Sequence, residues 1–182
     1  GRMLVDRGAA LIDADQIARE LTAPGGLAMA AIAEVFGPEF VDASGALDRA
    51  RMRERAFSQP DARKQLEAII HPLVAQVTEA QARTAEAADK QLLVFDIPLL
   101  VESIQWPRKL DAVAVVDCPT DTQITRVMQR NALDRSAIEA IIASQATRQQ
   151  RRAAADIVLF NDKLTLDELK AQVDTLAQRF GL

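Results

Sequence analysis

The chain has 182 residues, which fits one domain or one domain with an insertion, and its 49% of hydrophobic residues provide for a substantial core. Because aromatic residues make up only 4% and the formal net charge is −4, the composition argues against a protein that binds nucleic acid. The single cysteine, Cys118, excludes an internal disulfide and predicts a cytoplasmic location, and no apolar run is long enough to span a membrane.

The first half of the chain begins with one predicted strand and continues as helices. The apolar run at 9–13 predicts a short buried strand. The helices predicted after it span 15–22, 27–36, a stretch from Asp48, and a long stretch from Asp61 to about Ala88. Residues 39–47 contain turn-forming residues and predict a loop. Because Pro72 has no N–H to donate, we expect a kink or break in the long helix near this residue.

The second half of the chain alternates strands with helices. Strands are predicted at 91–95, 112–116 and 157–160, where the apolar runs are continuous rather than alternating. Continuous runs are typical of parallel strands that are buried on both faces. The helices predicted in this half span 119–130, 134–152 and 165–180, the last with an apolar stripe of Leu166, Leu169, Val173 and Leu176.

This order of elements predicts an α/β protein. Strands alternate with helices near both ends of the chain, whereas residues 23–88 are helical, so we expect a parallel sheet interrupted by a helical insertion. Ligands of such proteins bind at the carboxyl ends of the strands. Four acidic residues fall where predicted strands end, and we expect them to lie near one another: Asp13, Asp15, Asp96 and Asp117.

Asp13 and Asp15 have two interpretations. A carboxylate at the end of a strand can accept the proton of a substrate hydroxyl. Either residue can instead cap the helix that begins here, because aspartate is among the preferred N-cap residues.

A group of arginines in the last third carries positive charge in an acidic chain. Its members are Arg126, Arg130, Arg135, Arg148, Arg151 and Arg152. Guanidinium groups match phosphate oxygens in a bidentate fork, so a polyphosphate is the expected ligand. Arg126 and Arg130 are four residues apart and share a helix face, where like charges repel unless an anion lies nearby. The alternative is a solvated basic face, or pairing with acids elsewhere in the protein.

His71, the only histidine, lies in a mostly apolar stretch. From the residues alone we interpret it as a structural histidine, with a role in catalysis as the alternative. One histidine and one cysteine do not make a zinc site of ordinary ligand spacing.

Several short motifs occur along the chain in order. They are Ile12-Asp13-Ala14-Asp15 with Ala18-Arg19, Leu47-Asp48-Arg49, His71-Pro72, Asp96-Ile97-Pro98-Leu99-Leu100 with Glu102, Val115-Val116-Asp117, and Gln145-Ala146 with Arg148. This ordered set resembles the dephospho-coenzyme A kinase family over about residues 4–180. The resemblance implies a parallel-sheet P-loop kinase core with a helical substrate-binding insertion and a helical lid. The implied ranges are 1–22, 89–125 and 153–182 for the nucleotide-binding core, 23–88 for the coenzyme A domain and 126–152 for the lid.

The resemblance also implies a reaction and its residues. ATP would donate its γ-phosphoryl group to the ribose 3′-hydroxyl of dephospho-coenzyme A, the final step of coenzyme A biosynthesis, with Mg²⁺ as cofactor. Asp15 would be the base or hydroxyl-orienting residue, and Arg148 the second catalytic residue. Binding of dephospho-coenzyme A is assigned to Asp15, Arg19, His71, Asp96 and Leu99, and binding of ATP to Arg126, Arg130, Arg148 and Asn161. No metal ligand is assigned, although Asp96 can orient magnesium through water or be merely a strand-end residue.

The sequence departs from the family in one important motif. The family carries G-x-x-x-x-G-K-[ST] on a strand and loop ahead of the Ile12-Asp13 motif, and no such motif occurs in the 182 residues. This motif forms the cradle that binds the phosphates of ATP, so we expect the 182 residues not to turn over ATP. Because the strand ahead of the motif is not in these residues either, we expect a gap in the sheet. The alternatives are a non-catalytic relative that binds a nucleotide or a coenzyme and another small-molecule kinase of the same fold. We expect a monomer or a weak homo-oligomer.

Overall fold

The computed structural model describes residues 1–103, 109–131 and 133–182. The described chain forms two compact units, 1–97 and 98–182. Part of the predicted core, 104–108, and one residue of the predicted lid, Ala132, lie outside the described residues. Within the described segments, no helix combines the length and the apolar composition that crossing a membrane requires.

Among the described residues, each unit contains one pair of parallel strands. In the first unit, β1 (Ala10–Asp13) pairs with β2 (Leu93–Asp96) in the register that places Asp13 opposite Asp96. In the second unit, β3 (Ala114–Asp117) pairs in parallel with β4 (Ile157–Phe160). The predicted α/β fold with parallel strands is confirmed. We expected a parallel sheet with a gap, and the described strands form two two-stranded sheets, because none of them pairs with both β2 and β3.

The first unit is mainly helical. Its helices are α1 (Arg2–Val5), α2 (Ala14–Leu21), α3 (Met29–Phe36), α4 (Arg49–Ser58) and α5 (Pro60–Ala87), with a 3₁₀ turn at Pro38–Phe40. Gly37 ends α3 with a φ of 104°, a conformation that glycine adopts without strain. Asp48 begins α4 by accepting a hydrogen bond from the Arg51 N–H. Ile17 of α2 and Ile32 of α3 are fully buried, at the centre of a core that these helices share with β1.

The expected break at Pro72 is wrong, because α5 runs without interruption from Pro60 to Ala87. A proline inside a helix leaves the carbonyl oxygen four residues earlier without its usual donor. Here that residue is Ala68, and both Ala68 and Pro72 are exposed, so water can satisfy the carbonyl. The proline therefore lies on the solvent side of a continuous helix.

The second unit contains four helices within its described residues. They are α6 (Thr120–Asn131), α7 (Arg135–Ala143), α8 (Arg148–Ala153) and α9 (Leu166–Arg179). The single helix expected at 134–152 is wrong, because α7 and α8 are separate. Thr147 starts α8 with a capping box, in which its side chain accepts from the Gln150 N–H and the Gln150 side chain accepts from the Thr147 N–H.

The apolar stripe expected on α9 is shorter than predicted. Val173 and Leu176 are buried and Leu169 is half-buried, but Leu166 is 70% exposed. Leu166 is the first residue of the helix, and helical side chains lean toward the N-terminus. Its side chain therefore projects past the first turn instead of joining the stripe.

Candidate active site

The ends of β1 and β2 carry two aspartates side by side. Asp13 and Asp96 are register partners at the carboxyl ends of the two strands. Asp13 Oδ1 accepts a hydrogen bond of 2.9 Å from the Gln16 N–H and caps α2, so the capping interpretation is correct for this residue. Asp96 is exposed. One carboxylate therefore has a structural role, and the other remains accessible.

Asp15 is the second residue of α2, and its side chain is exposed. Among the described residues it has no hydrogen-bond partner, so capping is not its role. The N-terminal turn of a helix favours a negative charge, so the helix dipole interacts favourably with a carboxylate at this position. Arg19 lies one helical turn later on the same face, is also exposed, and forms no ion pair with a described carboxylate. This end of the sheet therefore presents an acid beside a cation.

The two remaining residues predicted to bind dephospho-coenzyme A are also accessible. His71 lies on α5, and its side chain is exposed. Its apolar neighbours in the sequence do not bury it, which argues against the structural interpretation. Leu99 follows β2 in a turn, and 48% of its surface is exposed.

In the second unit, the aspartate at the end of β3 is buried and paired. Asp117 is only 4% exposed. Arg148, the first residue of α8, donates to both of its oxygens, from Nε to Oδ1 and from Nη2 to Oδ2, each at 2.8 Å. Arg152 Nη1 lies 3.6 Å from Oδ2. The bidentate pair leaves Arg148 Nη1 directed away from the carboxylate and able to donate to another anion.

The ion pair also determines the charge of Asp117. The hydrogen bonds from Arg148 hold the pKa of Asp117 below its usual value, and the charge of Arg152 acts in the same direction. Burial opposes them, because it disfavours the ionised carboxyl group. The net direction is a lowered pKa, so the carboxylate is ionised at neutral pH and anchors α8 to the end of β3.

The ends of β3 and β4 also lie beside Arg126. Arg126 Nη1 donates to the backbone oxygen of Asn161 at 3.0 Å, and the Asn161 N–H donates to the Asp117 carbonyl at 2.8 Å. Thr122 donates to Asp162 Oδ1 at 2.7 Å next to this contact. A cavity of about 310 Å³ opens here, and its lining consists of Asp121, Thr122, Thr125, Arg126, Asp162 and Lys163.

The structure divides the arginine-rich segment. Arg148 and Arg126 both reach the ends of β3 and β4, as do the backbone groups of Asn161. Arg130 does not, because its Nε donates to its neighbour Asn131 at 2.7 Å. Arg135 pairs with Asp121 at 3.1 Å and with Glu139 at 2.7 Å. For this arginine the alternative interpretation, pairing with acidic residues of the protein, is correct.

No described group of three or more histidine, cysteine, aspartate or glutamate side chains is placed to hold a metal ion. Magnesium keeps several waters and binds through one or two carboxylates together with substrate phosphates. Asp96, accessible at the end of β2, fits that mode better than a closed protein site.

The partners of several residues could not be predicted from the sequence. Asp117 was expected at a strand end, but its pairing with Arg148 was not. Thr122 and Asp162 had no recognisable signal, because their hydrogen bond joins positions 40 residues apart. Glu102 accepts from the Ala146 N–H at 2.7 Å, but the motif that contains it predicted no role for this residue.

Comparison with known proteins gives a consistent result. A family model described as dephospho-CoA kinase matches residues 1–167. A dephospho-CoA kinase of Albidiferax ferrireducens is 55% identical over 180 residues, which cover 99% of this chain and 85% of that protein. A dephospho-CoA kinase of Burkholderia pseudomallei strain K96243 is 53% identical over 173 residues, which cover 95% of this chain and 84% of that protein.

Two solved structures share the fold. The crystal structure of TT1252 from Thermus thermophilus matches with a TM-score of 0.77 and 30% identity, over 97% of this chain and 88% of that one. A dephospho-CoA kinase from Campylobacter jejuni matches with a TM-score of 0.70 and 23% identity, over 98% of this chain and 90% of that one.

Proposed function

The chain belongs to the dephospho-CoA kinase family, and we propose the residues by which it serves this reaction. As a member it is a transferase of coenzyme A biosynthesis, which moves a phosphoryl group from ATP to dephospho-CoA. The observation that carries the assignment of residues is that Asp15 and Arg19 are both accessible and lie one turn apart on α2, the helix that follows the carboxyl end of β1.

Asp15 acts on the acceptor. A ribose hydroxyl that attacks a phosphorus atom must lose its proton, and a carboxylate within hydrogen-bond reach can orient the hydroxyl and accept that proton. The exposure of Asp15 and its lack of a described partner support this role. Arg19, His71, Asp96 and Leu99 bind the remainder of dephospho-CoA, and all four are accessible.

The second unit serves ATP. Arg148 donates to phosphate oxygens through Nη1 while Asp117 fixes its orientation, so that developing negative charge meets a cation that is already positioned. Arg126 and Asn161 lie beside the cavity at the end of β4 and contact the nucleotide. Arg130, whose Nε donates to Asn131, would have to release that bond to make a further contact. Asp96 would hold a hydrated Mg²⁺ through water, and the ion would supply positive charge against the phosphates of ATP.

The domain ranges also belong to this proposal. Residues 23–88 bind the coenzyme, 126–152 form the lid, and the remainder forms the nucleotide-binding core. The protein is a cytoplasmic monomer or weak homo-oligomer.

A kinase assay with a matched pair of variants tests the role of Asp15. Asp15 and Asp61 are both exposed aspartates at the second position of a helix. We expect Asp15→Asn to lower turnover of dephospho-CoA at least about 100-fold, whereas Asp61→Asn retains it. Release of ADP is measured with the chain joined to the family's G-x-x-x-x-G-K-[ST] strand and loop. Equal effects of the two variants on turnover would show that Asp15 has no specific role in the reaction.

The same assay addresses the alternative functions. Tight binding of dephospho-CoA without turnover would indicate a non-catalytic coenzyme-binding protein. Turnover with another acceptor alone would indicate a different kinase of this fold. The identity to named dephospho-CoA kinases favours neither.

A further inference from the structure

The arginines of α4 lie on two faces of the helix. Arg51 and Arg55 share one face, where both are engaged by the first unit. Arg51 donates to the Glu39 carbonyl at 2.8 Å and lies 3.8 Å from Asp48, and Arg55 lies 5.8 Å from the centre of the Phe40 ring. These two cations therefore contribute to packing.

The other face of α4 carries Arg49, Arg53 and Phe57, spaced four residues apart. Neither arginine forms an ion pair with a carboxylate in the part of the chain that the structure describes. Phe57 is 92% exposed, more than any other large hydrophobic residue described. Like charges on one face repel, and an exposed aromatic ring is unfavourable in water. A ligand with both an anionic and a less polar part would relieve both costs.

Thr22 connects this face to the proposed base. Arg49 Nη2 donates to Thr22 Oγ1 at 2.9 Å, and Thr22 is only 2% exposed. The hydroxyl group in turn donates to the backbone of α2, 3.0 Å from the Ala18 oxygen, so it holds Arg49 in a defined position. Thr22 follows Asp15 by seven residues, about 10 Å along the helix axis, and Arg19 lies on the same face between them.

We propose that Arg49 and Arg53 bind the 5′-diphosphate of dephospho-CoA and that Phe57 contacts its pantetheine arm. This inference rests on the proposed function, because it starts from a ribose held at Asp15. The diphosphate is attached to the same ribose as the reacting 3′-hydroxyl, and the arm extends beyond the diphosphate. Thr22 holds Arg49 at the end of α2, and Arg53 and Phe57 follow Arg49 at intervals of about one turn along α4.

The chemistry of the side chains fits each part of this ligand. A guanidinium group donates two parallel hydrogen bonds to phosphate oxygens, and it is less strongly hydrated than an ammonium group. The bond to Thr22 uses one N–H of Arg49 and leaves others for the diphosphate. The pantetheine arm combines amide and methyl groups, which can lie against an aromatic face.

Titration calorimetry of the chain with dephospho-CoA tests this inference. We expect Arg53→Gln and Phe57→Ala each to raise the Kd about tenfold. Arg53→Gln should also weaken the salt dependence of the Kd, because one cation is lost, whereas Phe57→Ala should retain it. Arg51→Gln removes a cation from the opposite face of the same helix and is the matched control. This variant should bind dephospho-CoA like the unmodified chain.

Arg49 needs a separate variant, because its loss also removes the bond to Thr22. Arg49→Lys keeps the charge but removes the planar fork, and we expect several-fold weaker binding with an unchanged thermal unfolding midpoint. If the unmodified chain binds dephospho-CoA and every variant matches Arg51→Gln, the inference is wrong and the proposed function stands. If the unmodified chain does not bind dephospho-CoA, both are wrong.

Discussion

Both units contain an apolar strand that ends in aspartate, but the exposure and the charged partners of that aspartate differ between the units. In the first unit, Asp96 is exposed, and nearby α2 carries an acid and a cation that have no described charged partner. In the second unit, Asp117 is 4% exposed and bound at both oxygens by Arg148. The strand pattern thus places an acid at the edge of a sheet, but the surrounding elements decide whether that acid is available to a ligand.

This contrast separates two kinds of charged residue at a candidate site. A buried ion pair mainly holds an element in place, since its charges are already compensated. An exposed acid contributes little to stability and can be used for chemistry. Substitution of Asp15 should therefore affect activity with little effect on stability, whereas substitution of Arg148 should affect both.

The largest effect on stability is expected for Arg148→Met. The variant leaves the buried Asp117 carboxylate with Arg152 alone, 3.6 Å away. We expect the free energy of unfolding to fall clearly, because the buried carboxylate loses both hydrogen bonds from Arg148 and keeps only the longer contact with Arg152. Unfolding in urea measures it. Arg130→Met, at an exposed arginine of the same unit, should change it by less than about 0.5 kcal/mol, and an equal loss in both variants would contradict the role of the pair.

The contribution of this pair should also depend on pH. Because Arg148 lowers the pKa of Asp117 in the folded protein, folding favours the ionised carboxylate. The resulting stabilisation is complete above the ordinary aspartate pKa of about 4 and is lost as pH falls toward the lower folded value. We expect the difference between the unmodified chain and Arg148→Met to shrink below about pH 4, as followed by urea unfolding at several pH values. A difference that stays constant down to pH 2 would show that Asp117 does not carry it.

A smaller effect should distinguish the register partners Asp13 and Asp96. Asp13→Ala removes the cap of α2 and should lower the free energy of unfolding by about 1 kcal/mol. Asp96→Ala removes an exposed carboxylate and should change it by less than about 0.5 kcal/mol. Thermal or urea unfolding compares them directly. The reverse order would mean that Asp96, not Asp13, supports the fold.

The smallest effect is expected for Thr78→Val on α5. Thr78 is 5% exposed, and its hydroxyl oxygen has no hydrogen-bond partner among the described residues, in contrast to the fully bonded Asp117. Replacing the hydroxyl group with a methyl group should raise the unfolding midpoint, with a gain of up to about 1 kcal/mol. Thr84→Val is the control, since Thr84 is exposed and donates to the Ala80 carbonyl at 2.9 Å. A loss of stability at position 78 would show that its hydroxyl has a favourable interaction in solution.

Much of the fold follows from short-range patterns. The four parallel strands lie within a few residues of their predicted positions, because a continuous apolar run is a local signal. Asp48 starts α4 as expected, since a cap and the helix it begins are adjacent in the chain. The start of α8 at Thr147 was missed although its capping box is also local, because the helical pattern on both sides was taken to continue.

The candidate site depends on contacts between distant positions. Asp15 and Arg19 were predicted together, because one turn of one helix relates them. Arg148 with Asp117, and Arg49 with Thr22, are separated by 31 and 27 residues, and no local rule selects these partners. The sequence alone predicted the positions of most helices and strands, the acidic residues at the strand ends and the cluster of arginines, since these depend on spacing along the chain. Only the packed structure determined which charges are buried in ion pairs and which remain accessible, because burial depends on neighbours that folding brings together.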